Sequence, residues 1–546
     1  MKRLIPCLLL IWQATLSALP VEKDTLIFLY TADIHGKIYP YDYYRDQPAD
    51  FGLARISTLV RQYRQNYEHV FLMDGGDMIQ GTPLAYYYNR IDTLSPNPFI
   101  LVMNHLDYDA MAVGNHEIEQ GKNIYDKLRE ESDFPWLSAN SLLPDGSPYF
   151  QPFSLLQAGD ITIGVLGLTT PGIPLWHNKS LYPDIIWTDM VTTASAYWPE
   201  LTAQSDLQIG IFHAGFDHTS QQEQYSSAGL PPVNASGLVA ESLPGFTIIF
   251  GGHSHELIPE DSLYISYPEV PVKLAPGAHA QGVGVVKVLL YRQNGSWSVE
   301  AISAKVENIS QLEPDAAVLN LTGQSHLTTL DFVNQCIGIA NTELSTRNAY
   351  FRDNPLIEFI NRTQMEASGA PISFTACFTE DLVIETGEIQ RKDIFALYPY
   401  ENQLCVLSLT GRQIRQYLEK AASCLQRTEQ EISLAPGIAG YNYDMAEGLD
   451  YTIDLEQQPG ARISNILLSV SSEPLQDEEH YPVALNSYRA EGGGGYLAAI
   501  RGLDAPLLYI SETEIRDILA EFLSRIGSIG PEVDGNWRIL NYDSEE

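Results

Sequence analysis

Five short polar signatures carry the chemistry open to this chain: Asp33-Ile34-His35, Gly76-Asp77, Gly114-Asn115-His116-Glu117, the single His213, and Gly252-His253-Ser254-His255. Their imidazoles (His35, His213, His253, His255), carboxylates and amide oxygen form a donor mixture that suits Zn²⁺, Mn²⁺, Fe or Co²⁺. Ca²⁺ and Mg²⁺ prefer surroundings made of oxygen alone. The candidate ligands Asp33, His35, Asp77, Asn115, His213, His253 and His255 are too many for one tetrahedral ion, so two divalent ions are the simpler expectation. A carboxylate such as Asp77 can bridge cations roughly 3.5 to 4 Å apart, the separation at which a pair clamps the attacking and leaving oxygens of an in-line displacement.

Each signature needs an element that delivers it, and each follows a short apolar run. Leu26–Tyr30, Val70–Met73, Ala110–Val113, Ile209–Phe212 and Thr247–Phe250 read as strands buried on both faces. In a layered α/β arrangement the loops leaving such strands collect along one edge, so residues as distant as Asp33 and His255 can converge. Within a signature, i and i+2 on an extended segment point the same way. Asp33 with His35, or His253 with His255, can therefore approach a shared ion centre.

In this order the signatures closely resemble the calcineurin-like metallophosphoesterase domain of the 5′-nucleotidase family. The resemblance implies that Asp33, His35, Asp77 and His255 hold one ion, and Asp77, Asn115, His213 and His253 the other. It also implies that His116 is not a ligand but faces the phosphate and stabilises or protonates the leaving oxygen. The family often places Asp three residues after that His to orient it; here the position is Glu119, a longer carboxylate. His69, His105, His177, His218, His279, His326 and His480 lack this context and are expected at the surface or behind the ligands. His218, close after His213, is the first choice for an orienting neighbour.

A chain of 546 residues is too long for one core, and two domains with a connector are expected. The net charge of −37 excludes general binding to nucleic acid polymers or anionic membranes, which need basic surfaces. A small phosphate remains a feasible partner if ions supply positive charge locally. Met1-Lys2-Arg3 followed by an apolar stretch from Leu4 to about Leu16 has the form of a secretory signal over residues 1–18. It is shorter than the about 20 residues of a membrane span. An exported protein, periplasmic or extracellular and without a membrane span, is expected. Cys336, Cys377, Cys405 and Cys424 could form any of three pairings or stay as buried thiols, and none has Cys-x-x-Cys spacing.

The expected fold class is α/β (α+β): a four-layer metallophosphoesterase sandwich with flanking helices over residues 24–308, a connector at 309–348, and a second mixed α/β nucleotide-binding domain over 349–542. Periodicity leaves the stretch from Leu330 to Ile339 undecided between helix and strand. In the second domain, a helix is expected over Asn354–Met365, a strand at Ile372–Thr375, and a strand at Leu404–Leu407 leading into a helix around Ile414–Ala422. Ser511 and Glu514 have capping-box spacing before a closing helix.

Two segments of the second domain suit a nucleotide base: Tyr398-Pro399-Tyr400-Glu401-Asn402, and Asn486-Ser487-Tyr488-Arg489-Ala490 followed by Gly492–Gly495. Tyr400 and Tyr488 could stack on a base, Asn402 could bond its edge, and Gly493 and Gly494 could let backbone approach the ligand. These segments, with Tyr443-Asp444-Met445 and Glu447–Tyr451, resemble the C-terminal domain of the same family. They look most like the branch with 2′,3′-cyclic-nucleotide 2′-phosphodiesterase and 3′-nucleotidase activity. The 5′-nucleotidase branch tends to carry Gly-Gly-Ile-Arg where Thr375-Ala376-Cys377-Phe378 stand, and Asp where Gly494 stands. The resemblance thus implies an exported, two-metal enzyme hydrolysing 2′,3′-cyclic nucleotides and 3′-nucleotides. The rivals are a 5′-nucleotidase or UDP-sugar hydrolase and, from another class, a non-catalytic nucleotide-binding surface protein.

Overall fold

The computed structural model describes residues 22–219, 226, 229–293, 295–428, 431–500 and 505–542. The expected secretory segment, residues 1–18, lies outside them. No helix among the described residues is long and apolar enough to cross a membrane.

In the N-terminal half the described residues form two large sheets. One, of seven strands, runs in the order Leu263–Ser266, Ser296–Asn308, Gly282–Gln293, Lys23–Thr31, His69–Asp74, Ala110–Ala112, Trp136–Leu137. The other, of six, runs Leu257–Ile258, Val272–Pro276, Ile248–Gly251, Leu207–His213, Ile161–Thr169, Phe153–Ala158. Strand alternation explains how they stack. Leu26, Phe28 and Tyr30 join Ile163, Val165, Ile209, Ile211, Ile248 and Phe250 in a dry layer between the sheets. Ile27 and Leu29 point the other way, onto helices that include Leu53–Asn66 and Pro98–His105. On the far side, Leu166, Leu168, Phe212 and Ile249 pack on the helices Met190–Gln204 and Ser236–Ser242. The result is helix, sheet, sheet, helix, the expected four layers.

Direction matters as much as layering. Lys23–Thr31 pairs in parallel with His69–Asp74, which pairs in parallel with Ala110–Ala112. Leu207–His213 pairs in parallel with Ile161–Thr169 and Ile248–Gly251. Parallel neighbours put like ends together, so the loops after Thr31, Asp74, Ala112, His213 and Gly251 gather at one edge of the stacked sheets.

The segment expected to connect the halves is itself structured: helix Ala316–Val333, then strand Cys336–Ala340, which pairs with Gly387–Gln390 and Ser528–Ile529. Beyond it, among the described residues, lies a five-stranded sheet ordered Asp444–Glu447, Ile372–Ala376, His480–Asn486, Gln403–Thr410, Leu507–Glu514. Helices Pro355–Ser368, Gly411–Ala422 and Ile515–Ile526 cover it with Leu356, Ile360, Ile414, Tyr417, Leu519 and Leu523. Two of these helices start on polar caps: Asn354 accepts from the N–H of Leu356, and Thr410 with Gln413 closes a capping box. The third differs from expectation. Ser511 lies within a strand and accepts the N–H of Leu404, while Glu514, at the cap position, makes no side-chain cap bond. Its carboxylate is held instead by Arg516, two residues on, and by Arg90 from the N-terminal half, and together they displace the cap. Cys336, Cys377, Cys405 and Cys424 are free thiols.

Candidate active site

The ligand side chains meet at the shared sheet edge, by a backbone geometry that differs from the expected one. Asp33, His35, Asp77, His253 and His255 are not extended. Their φ angles are 51°, 48°, 58°, 69° and 58°, all left-handed. Asp and His enter this region more readily than most side chains, yet it costs an L-residue on the order of 1–2 kcal/mol. A lattice of main-chain bonds holds the turns: Asp33 N–H to Gly76 O at 2.9 Å, His35 N–H to Asp77 O at 3.0 Å, Gly36 N–H to Met78 O at 2.8 Å, and His279 N–H to Asp33 O at 2.7 Å. The loops brace one another, so strain at the ligands is set by the whole edge.

Two clusters result. In the first, ligand atoms of Asp33, His35 and His255 lie within 4.8 Å of one another; in the second, those of Asp77, His213 and His253 do. The Nε2 atoms of His35 and His255 face each other at 2.9 Å, and His255 Nε2 lies 3.7 Å from Asp33 Oδ1. His213 Nε2 lies 3.1 Å from Asp77 Oδ2 and 3.0 Å from Asn115 Oδ1, which brings Asn115 into the second cluster. All seven expected ligands are therefore gathered in these two groups, with Asp77 in the second.

These residues fit divalent metal ions. His35 Nδ1 bonds Gln80 Oε1 at 3.1 Å, and His213 Nδ1 donates to Gly75 O at 2.7 Å, so each ring turns Nε2 inward. The orienting partner of His213 is thus a backbone carbonyl rather than His218. Burial lowers the pKa of His35 and His255 and takes His253 down to about 3, keeping these rings in the neutral, ligating form. Burial also pulls His213 down, but Asp77 outweighs it and holds the ring near 9. A buried carboxylate with so strong a demand for positive charge is what a cation site requires.

His116 lies beside the clusters without joining either. Its backbone N–H bonds Asp77 Oδ1 at 2.8 Å, its Nε2 is 3.9 Å from Asp77 Oδ2, and its Nδ1 is held by the Glu119 carboxylate. Burial pulls its pKa down, but Asp77 and Glu119 outweigh that and bring it up to about 10. Glu119, a position where the sequence departs from the family habit, reaches the ring from within the same short helix, Asn115–Glu119.

The clusters open into a cavity of about 1280 Å³ whose opposite wall comes from the C-terminal half. His35, Asn115, His116, Glu119 and His255 line one side; Tyr400, Asn402 and Tyr488 line the other. Gly493 and Gly494 do not line it. A Cβ on Gly493 would stand 2.5 Å from the Tyr488 ring, and one on Gly494, at φ +70°, 2.6 Å from an Arg489 nitrogen. The glycines make room for their neighbours rather than for a ligand. Arg489, fully buried, forks onto Asp444 at 2.8 and 2.9 Å and fixes the turn that presents Tyr488.

Several residues of the site were not singled out from sequence. Glu117 accepts three backbone N–H groups, from Asp77, Met78 and Gly114, each at 2.8 Å. It sits in the Gly-Asn-His-Glu signature, so the signal was present. His177 and His279 line the cavity and are pushed down to about 4, mainly by burial; nothing local to them in sequence marks this. Trp176 places its ring 5.0 Å from His253. Phe378 meets Tyr400 edge-on at 5.3 Å, and Tyr441 meets it at 6.3 Å.

A four-layer sandwich with paired carboxylate and imidazole clusters at the ends of its strands defines a metal-dependent phosphoester hydrolase. Residues 26–257 match the family model of the calcineurin-like phosphoesterase, and residues 326–500 that of the 5′-nucleotidase C-terminal domain. The chain belongs to the 5′-nucleotidase family, which joins these two domains. It is 27% identical over 576 residues to the trifunctional nucleotide phosphoesterase protein YfkN of Bacillus subtilis, an alignment covering 94% of this chain and 39% of that protein. The chain therefore spans well under half the length of that relative. It is 25% identical over 619 residues to the 2′,3′-cyclic-nucleotide 2′-phosphodiesterase/3′-nucleotidase of Yersinia enterocolitica, covering 100% of this chain and 92% of that one. Among solved structures, a candidate 5′-nucleotidase from Staphylococcus aureus in complex with α-ketoglutarate superposes with a TM-score of 0.78 at 26% identity, covering 94% and 99% of the two chains.

Proposed function

We propose that this protein hydrolyses 2′,3′-cyclic nucleotides and 3′-nucleotides to nucleoside and phosphate, outside the cytoplasm, with two divalent ions of the Zn²⁺, Mn²⁺, Fe or Co²⁺ type. The observation that carries the reading is the single cavity that both the ligand clusters and Tyr400, Asn402 and Tyr488 line. Phe378, an aromatic side chain against Tyr400 where the 5′-nucleotidase branch tends to carry Arg, favours the cyclic and 3′ substrates over 5′-nucleotides.

Asp33, His35, Asp77 and His255 would hold one ion, and Asp77, Asn115, His213 and His253 the other. Bound there, the ions supply Lewis acidity to the phosphoryl group and to its attacking water. The remaining steps belong to the chain. Tyr400 and Tyr488 stack on the base and Asn402 bonds its edge, which fixes the ribose relative to the clusters. His116, charged and oriented by Glu119, gives its proton to the departing ribose oxygen as the P–O bond breaks. On a cyclic substrate, water opens the ring at the 2′ oxygen and leaves a 3′-phosphate; a second hydrolysis breaks the 3′ P–O bond and frees phosphate.

The test is turnover of 2′,3′-cyclic AMP, 3′-AMP and 5′-AMP by purified protein with Mn²⁺, Zn²⁺ or Co²⁺ added. Preference for the first two supports the reading. Preference for 5′-AMP moves the protein to the neighbouring specificity, and phosphate release indifferent to chelation rejects the mechanism. Export is supported by the basic and then apolar run from Met1 to about Leu16. Recovery from cells of a protein that still begins at Met1 would refute it.

A further inference from the structure

A chain of four alternating basic and acidic side chains crosses between the two halves of the molecule. Arg90, from the N-terminal half, sets its Nε 3.3 Å from Glu514 Oε1. Arg516 donates from Nε to Glu514 Oε2 at 3.0 Å and places an NH2 group 2.8 Å from Glu401 Oε1. Apart from Arg90, which is 30% exposed, these side chains are almost wholly buried: 8% for Glu514, 1% for Arg516 and 2% for Glu401. The guanidinium of Arg516 also lies 4.2 Å over the ring of Tyr86, whose hydroxyl donates to Asp517.

Both ends of this chain touch the site. Arg90 donates to the carbonyls of Glu119 and Gln120 at 3.3 and 3.4 Å, the closing turn of the short helix that carries Asn115 and His116. A guanidinium fork there satisfies carbonyls that a five-residue helix cannot pair within itself. At the other end, Glu401 stands between Tyr400 and Asn402, and the Asn402 carbonyl accepts the N–H of Ile515, next to Glu514. Burying ionisable groups such as Glu514, Arg516 and Glu401 costs more than packing apolar groups would, so such a network contributes register rather than net stability.

We propose that Arg90 and Glu514 are positioning residues, the joint through which seating of the C-terminal half holds the His116–Glu119 pair in register with the base pocket. The proposal rests on the nucleotide-hydrolase reading above. It implies that a substrate engaging both halves depends on the joint far more than one engaging only the clusters.

The test compares 3′-AMP with p-nitrophenyl phosphate, which has no base, in Arg90→Met, Glu514→Gln and the double variant at saturating metal. The ratio of the two kcat/KM values is expected to fall about tenfold in each single variant, and in the double no further than in the worse single, as for residues acting as a unit. A ratio unchanged within about twofold, or losses that multiply in the double variant, overturns the proposal. Arg90→Lys keeps the charge and spares the fold but cannot span two carbonyls. It is expected to lose about threefold in the ratio, and wild-type behaviour in it counts against the joint. If the wild-type protein turns over no nucleotide, the functional reading fails on its own, and the joint is judged by small-angle scattering. A larger radius of gyration in Glu514→Gln than in wild type upholds it, and identical curves overturn it.

Discussion

Glu117 accepts the backbone N–H of Asp77 at 2.8 Å, and the same carboxylate oxygen accepts that of Gly114 at the same distance. One buried side chain thus ties the loop of Asp77 to the loop bearing Asn115 and His116. Glu117→Ala leaves three buried donors unmet, so unfolding should become easier by roughly 3 kcal/mol, and affinity for at least one ion should fall about 10- to 100-fold. Thermal melts and metal titrations of the purified variant check both.

Chelation should abolish turnover, and metal analysis of active protein should find two ions per chain. Asp77→Ala removes the carboxylate proposed to serve both ions, so it should bind one ion or none and lose activity by at least about a thousandfold. Full turnover with two bound ions in that variant would contradict the arrangement.

The proton on His116 is held chiefly by Asp77 and Glu119, with a smaller pull from Glu401, and once ions engage Asp77, Glu119 is the hydrogen-bonded partner that remains. A histidine acting as an acid is effective below its pKa and fails as pH rises through it. Removing a neighbouring negative charge lowers that pKa. Glu119→Gln should therefore shift the alkaline limb of the kcat profile to lower pH, while His116→Ala should cost on the order of 10²- to 10⁴-fold with both ions retained. An unmoved alkaline limb in Glu119→Gln would remove this carboxylate from the mechanism.

Tyr400→Ala takes away a ring on the wall opposite the clusters. A base–ring stack contributes about 1–3 kcal/mol, so KM for 3′-AMP should rise about 10- to 100-fold, with a much smaller effect on an aryl phosphate. Equal losses on both substrates would show that the ring supports the fold rather than the base.

Gly494→Ala places a methyl group 2.6 Å from the Arg489 guanidinium at a φ of +70°. The left-handed backbone alone costs about 1 kcal/mol, and the clash must move Arg489 or the turn that presents Tyr488. The expected outcome is a modest drop in melting temperature with a larger rise in nucleotide KM, read from the same preparation.

The candidate ligands were legible because order, residue type and position after apolar runs all agreed, and strands such as Leu207–His213 deliver them as those runs imply. Their backbone geometry was not, because the sign of φ at Asp33 or His253 depends on which loop lies alongside, and residue type only permits it. The second half shows the same divide. Tyr400 and Tyr488 reach the cavity as expected, whereas Gly493 and Gly494 serve neighbouring side chains, a contact made only after the chain folds back. Ser511 and Glu514 spell a local cap, yet Leu404 and Arg90 claim them from elsewhere in the fold.

Every candidate ligand side chain precedes residue 256, whereas every aromatic ring proposed to read the base follows residue 377. Under the proposed division of labour, evolution can rewrite what this scaffold accepts by substitutions in one half while its bond-breaking apparatus stays as it is. Relatives with divergent diets are the natural product of such a split.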